Sequence, residues 1–207
     1  PQNASAAESG TNDSKFAGEV TTKKVSGHGD QPPLAIEFLN DSQFQVAYAD
    51  GAVAKFAYPE FTLIEKSRPL GRKFTHAAFS GDHSKTVLIN SAEVIVVSGS
   101  EVTPLTRLPG SNAVTTQSGQ SSVPILRVNQ TLTCVATANE GDAIAVGDSL
   151  GNLHLWTGSP ARYRRFRVHT RRLNSIARAP ESSRFLTAGS DSYICLVDPS
   201  NPASGQI

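Results

Sequence analysis

The densest chemistry in this 207-residue chain is cationic: Arg162, Arg164, Arg165 and Arg167 alternate with Tyr163 and Phe166, and Arg171, Arg172 and Arg178 follow. Seven of the 19 Lys and Arg residues thus fall between positions 162 and 178, although the formal net charge is only +1. Guanidinium groups hold carboxylate and phosphate alike through paired hydrogen bonds, and Tyr163 or Phe166 can stack on a nucleobase. Three readings follow: a site for an acidic protein partner, a site for RNA or another polyphosphate, or an edge strand kept from sticking by its own charge. Salt dependence separates phosphate binding from apolar docking.

Nothing comparable points to catalysis. His76, His83 and His154 do not form a His, Cys, Asp or Glu cluster with metal-ligand spacing. His154 lies mid-strand beside Trp156 and reads as a packed or rim side chain. No Gly-x-Ser-x-Gly elbow occurs, and Gly27-His28-Gly29 and Ser118-Gly119 lack the strand–loop–helix setting in which glycine loops cradle phosphate. Asp41 and Asp50 are explained by turns. The expectation is a protein that is not an enzyme, with no cofactor and no metal.

The elements that present the arginines read as short strands. Hydrophobic residues make up 38% of the chain and charged residues 18%, a globular balance with no global field drawing it to nucleic acid or membrane. From Pro33 onward, short apolar runs are punctuated by turn residues every ~8–12 positions, the signature of an all-β fold. Three segments share one grammar, an apolar strand, a Gly/Asp turn and an alternating strand: Ala47 to Phe56, Val146 to Trp156 and Ala188 to Asp198. Aligned on the turn, Asp50, Ser91, Leu150 and Asp191 are spaced by 41, 59 and 41 residues. A repeat of ~40–45 residues is that of four-stranded propeller blades. The long interval is accounted for by a polar insertion at 109–124, rich in Ser, Gly, Gln and Thr.

The units run 27–66, 69–108, 125–168 and 169–198, after a tail or linker at 1–26 and before a truncated end at 199–207, with strands read among them at Phe61 to Lys66, Thr86 to Ile89, Val94 to Ser98, Ile125 to Val128 and Leu132 to Thr137. Each small sheet leaves apolar faces exposed unless another stacks on it, so such units are stable only in arrays. The fourth unit lacks a fourth strand, and propellers typically need ~4–8 blades, so other blades or chains are expected to close the ring. Cys134 and Cys195 fall in strands of different units and read as buried thiols in a reducing compartment. The chain begins at Pro1 and contains no Met, so it reads as a piece of something longer. With no secretion signal or long apolar run, the expected location is intracellular, cytoplasmic or nuclear, without membrane contact.

These segments resemble the WD40 repeat family. That family places Gly-His before the first blade strand, Asp in the turn between the second and third strands, and Trp-Asp at the end of the third. Here Gly27-His28 precedes the first unit and His169 the last, Asp50 and Asp191 take the turn position, and Trp156 the tryptophan position. Val197-Asp198 stands where Trp-Asp would, Phe56 replaces Trp in the first unit, and Leu150 stands where Asp is expected in the third. The resemblance implies a WD40-type β-propeller in which His169 bonds Asp191, and His28 bonds Asp50, inside their blades. Within the family, 169–176 and 188–191 are similar to a late repeat of actin-interacting propellers, and 133–198 to repeats of ribosome-assembly propellers or vesicle-coat exchange factors. The resemblance implies a scaffold for protein–protein interaction in a multisubunit complex, with an RNA-associated assembly factor as the alternative.

Overall fold

The computed structural model describes residues 31–91, 93–105, 130–139, 141–158, 162–180 and 182–200. The expected tail at 1–26, His28, the insertion at 109–124 and the strand at Ile125 to Val128 lie outside the described residues.

The first unit folds as β1 (Pro33–Asn40), β2 (Gln43–Tyr48), β3 (Val53–Ala57) and β4 (Leu63–Lys66), an antiparallel meander in that order. In β2, Phe44, Val46 and Tyr48 pack on one face and Gln45 and Ala47 on the other, all of them buried. The β2–β3 hairpin closes where Asp50 Oδ1 accepts the Ala52 amide at 3.0 Å and Gly51 takes a φ of +83°. The turn into β4 runs longer than the sequence suggests. Phe61 adopts a φ of +60°, which no strand accommodates, so pairing resumes only at Leu63.

The second sheet is β5 (His76–Phe79), β6 (Thr86–Ile89), β7 (Val94–Ser98) and β8 (Glu101–Pro104). The third is β9 (Leu132–Thr137), β10 (Ala143–Asp148), β11 (Asn152–Thr157) and β12 (Arg162–Arg167). The last has three strands among the described residues, β13 (Leu173–Arg178), β14 (Phe185–Gly189) and β15 (Ile194–Val197). These are four separate sheets, not the two faces of one sandwich.

Contacts between sheets run through the first strands, β1 against β5, β5 against β9 and β9 against β13. Each sheet therefore points its first strand inward and its last strand to the rim. Apolar side chains fill the spaces between neighbours. Ala47, Leu88 and Ile95 lie between the first two sheets, Val87, Leu132, Val146 and Trp156 between the second and third, and Leu153, Leu155, Leu173 and Phe185 between the third and fourth. Burying each large side chain contributes about 1.5–3 kcal/mol. Hydroxyls on β9 tie the sheets together on both sides. Thr137 Oγ1 donates to the Phe79 carbonyl at 2.6 Å, and Thr133 Oγ1 to the Leu173 carbonyl at 2.5 Å.

Candidate functional site

β12 is the outermost strand of its sheet, hydrogen-bonded to β11 alone among the described strands. Its partners alternate, Thr157 opposite Arg162, Leu155 opposite Arg164, His154 opposite Arg165 and Asn152 opposite Arg167. Because strand side chains alternate faces, the cationic run is divided. Arg162 and Arg164 project on the side of the fourth sheet, and Arg165 and Arg167 on the side of the second. All four are exposed. Arg167 donates from Nη2 to the Thr170 carbonyl at 3.2 Å, whereas none of the ion pairs among the described residues involves Arg162, Arg164 or Arg165.

The aromatic members of the run face inward. Phe166, opposite Leu153, packs on the apolar core between the third and fourth sheets. Tyr163, opposite Trp156, packs on the core between the second and third, with ring centroids 5.2 Å apart. Its hydroxyl lies 2.9 Å from His154 Nδ1, and His154 Nε2 lies 3.0 Å from Asp148 Oδ2. An ionised carboxylate only accepts, so Nε2 carries the proton and Nδ1 accepts from the phenol. Both rings, expected to be open to stacking on a base, are half-buried and packed against the cores between the sheets.

Asp148 was not singled out by the sequence, yet it performs the turn role expected at Leu150. It is fully buried and accepts from His154, the Asn152 side chain, and the amides of Leu150 and Asn152. Burial raises its pKa, but these donors outweigh that effect and hold it below the ordinary carboxylate value. Its spacing from Asn152 and His154 across one hairpin was the available signal. Leu150 itself is exposed.

In the last sheet the structure brings His169 and Asp191 together, with Nδ1 and Oδ1 2.9 Å apart, and sets His169 Nε2 3.0 Å from Thr187 Oγ1. Asp191 also accepts the Thr170 amide at 2.7 Å and the Tyr193 amide at 3.3 Å. Burial opposes its charge, but the Thr170, His169 and Tyr193 donors prevail and lower its pKa to about 2. These are ties within the blade. Trp156 is buried in the second core interface, and Asp50 shapes the first hairpin.

Arg171 and Arg172 lie in the β12–β13 connection, away from the rim strand. Arg172 acts on the inner strands: its charge, after burial, lowers the pKa of His76 and tempers the rise at Cys134. Arg178 departs furthest from the run, reaching from β13 to Glu37 of β1 with Nη2 and Oε1 3.8 Å apart. His83 meets the same carboxylate at 3.2 Å. One sequence cluster thus serves three places, the rim, a loop and the inner strands.

In an antiparallel meander, alternate loops lie at opposite ends of the sheet, and the charges divide accordingly. The end formed by the β4–β5 and β12–β13 connections and the β2–β3, β6–β7, β10–β11 and β14–β15 turns carries Arg68, Arg72, Lys73, Arg171 and Arg172 against Asp50, Glu93 and Asp191. The other end carries Asp41, Glu60, Asp82, Asp142 and Asp198 against Lys85 and Arg184. Among the described residues no group of three or more His, Cys, Asp or Glu is arranged to hold a metal, and no helix is long and apolar enough to cross a membrane.

No known family model matches the sequence, and no curated protein matches it. Among solved structures the chain is similar to U3-55K, a WD40 propeller protein, with a TM-score of 0.61 at 11% identity. The match covers 88% of this chain and 53% of that one, so the chain spans about half the length of the propeller protein it resembles. At this identity the likeness shows the fold, a WD40-like β-propeller whose blades are the four sheets. Since 1032 solved chains match, function has to be argued from the surface and not from the fold.

Proposed function

We propose that this chain is part of a non-catalytic propeller scaffold that holds a protein partner within a multisubunit assembly, and that the partner is acidic where it meets β12. The observation that supports this most is the set of exposed, uncompensated arginines on one rim strand of a chain whose net charge is only +1. A propeller suits the task because its blades form a rigid frame and its loops and rim can take partners without refolding. Further blades are part of the reading, since Ile36 and Phe38 on β1 and Leu186 and Ile194 on the fourth sheet remain exposed. Buried free thiols at Cys134 and Cys195 suit a reducing compartment, cytoplasm or nucleus.

The second reading is an RNA-associated assembly factor whose arginines meet backbone phosphate. Arginine recognises phosphate as well as carboxylate, and this keeps it in view. The inward commitment of Tyr163 and Phe166 weighs against it, because single-stranded RNA is usually held by stacking as well as charge.

The two are distinguished by titrating the chain with poly-glutamate and with poly-uridine, at low and moderate salt, beside an Arg164→Glu/Arg165→Glu variant. The scaffold reading expects poly-glutamate to bind and the variant to lose that binding. Binding of poly-uridine alone, with a log–log salt slope of about −0.7 per phosphate, supports the RNA reading. If charge reversal changes neither, the arginines are a solvated edge.

A further inference from the structure

The backbone of β12 extends what its side chains suggest. The amide of Val168 donates to the Gly151 carbonyl at 3.1 Å, continuing the register that sets Arg167 opposite Asn152. Antiparallel ladders alternate bonded and non-bonded pairs, so the pairs that exchange bonds with β11 are Phe166 with Leu153, Arg164 with Leu155 and Arg162 with Thr157. The other side of β11 agrees. Gly158 donates to the Asp142 carbonyl at 2.9 Å, which by the same alternation turns the even-numbered residues of β11 toward β10 and leaves the odd-numbered ones for β12. The N–H and C=O groups of Tyr163, Arg165 and Arg167 therefore point away from the sheet.

This outward row is longer than its counterparts. β12 has six residues, whereas the outer strands β4 and β8 have four each. Edge strands are commonly shortened or charged to prevent pairing, and here the charge is of one sign only. It repels another basic edge and attracts an acidic one.

Resting on the arginine-contact reading above, we propose that β12 receives an extended acidic segment of the partner as a fifth strand of its blade. The main-chain bonds run to Tyr163, Arg165 and Arg167. Carboxylates on the two faces of the added strand pair with Arg162 and Arg164 on one side and with Arg165 on the other. Main-chain bonding supplies affinity and the arginines supply the choice of segment, the division of labour typical of strand addition.

The test uses a short peptide of Glu and Thr with acids on both faces, and the same peptide N-methylated at every backbone amide. N-methylation keeps the charge and removes the donors. Strand addition expects at least a tenfold loss of affinity on N-methylation. It also expects slower hydrogen exchange at the amides of Tyr163, Arg165 and Arg167 in the complex, with those of Arg162, Arg164 and Phe166 unchanged. If the N-methylated peptide binds equally well while Arg164→Glu/Arg165→Glu abolishes binding, strand addition is overturned and the arginine contact stands. If neither peptide binds, both readings fall.

Discussion

Tyr163 and Arg165 are two residues apart on one face of β12, yet only the arginine has a side chain clear of the core. The tyrosine is held by His154, which is held by Asp148, so its hydroxyl completes a buried chain of hydrogen bonds. Removing that hydroxyl leaves His154 Nδ1 without its donor inside the core. Tyr163→Phe is accordingly expected to lower stability by about 1–3 kcal/mol in denaturant unfolding, with affinity for an acidic peptide unchanged. A fall in affinity without a fall in stability would return Tyr163 to the contact surface. Asp191 gives a pH dependence of definite sign. Its folded pKa of about 2 lies below its ordinary value, so its contribution is complete above about pH 4 and is lost as pH falls toward 2. Thermal melts between pH 5 and pH 2 are expected to show a shallower acid limb for Asp191→Asn than for the parent chain.

At the scale of the elements, the hairpins were the legible part. The apolar alternation and Gly/Asp turns located β6, β7 and β9 to the residue, because each is bounded by turn residues and buried on both faces. Phe61 was misread as a strand start, since a left-handed backbone at an aromatic residue has no composition signal. The packing of the aromatic members of β12 was illegible for a different reason. Six alternating basic and aromatic residues announce a strand, but which face meets the core depends on the neighbouring sheets. Asp148 was hidden by the family pattern, which directs attention to the turn at Leu150 and not to the end of β10. Gly151 shows how tightly the third and fourth blades are joined. Its φ is +87°, and a Cβ there would stand 2.3 Å from the carbonyl oxygens of both His169 and Arg171. Backbone atoms cannot swing aside as a flexible side chain can. Gly151→Ala is therefore expected to destabilise by more than the ~1 kcal/mol typical of a glycine exchange alone, while Gly99→Ala, with nothing within 4 Å, shows only the cost of its positive φ. Equal melting temperatures for the two variants would contradict the close packing at this junction.

For the whole molecule, four sheets with inner strands side by side make a frame on which charge is sorted by place. Among the described residues, one set of loops is richer in Arg and Lys, the opposite set in Asp and Glu, and one rim strand carries arginine on both faces. On the scaffold reading proposed above, the arginines of that strand select an acidic partner and the blades receive it without rearrangement. The most direct measurement is a charge exchange: poly-glutamate and poly-lysine titrated against the parent chain and against Arg164→Glu/Arg165→Glu, with Tm recorded for both. The account predicts that the parent prefers poly-glutamate, that the variant shifts its preference to poly-lysine, and that Tm hardly moves because both side chains are exposed. Identical binding of both polymers by parent and variant, at equal Tm, would contradict it.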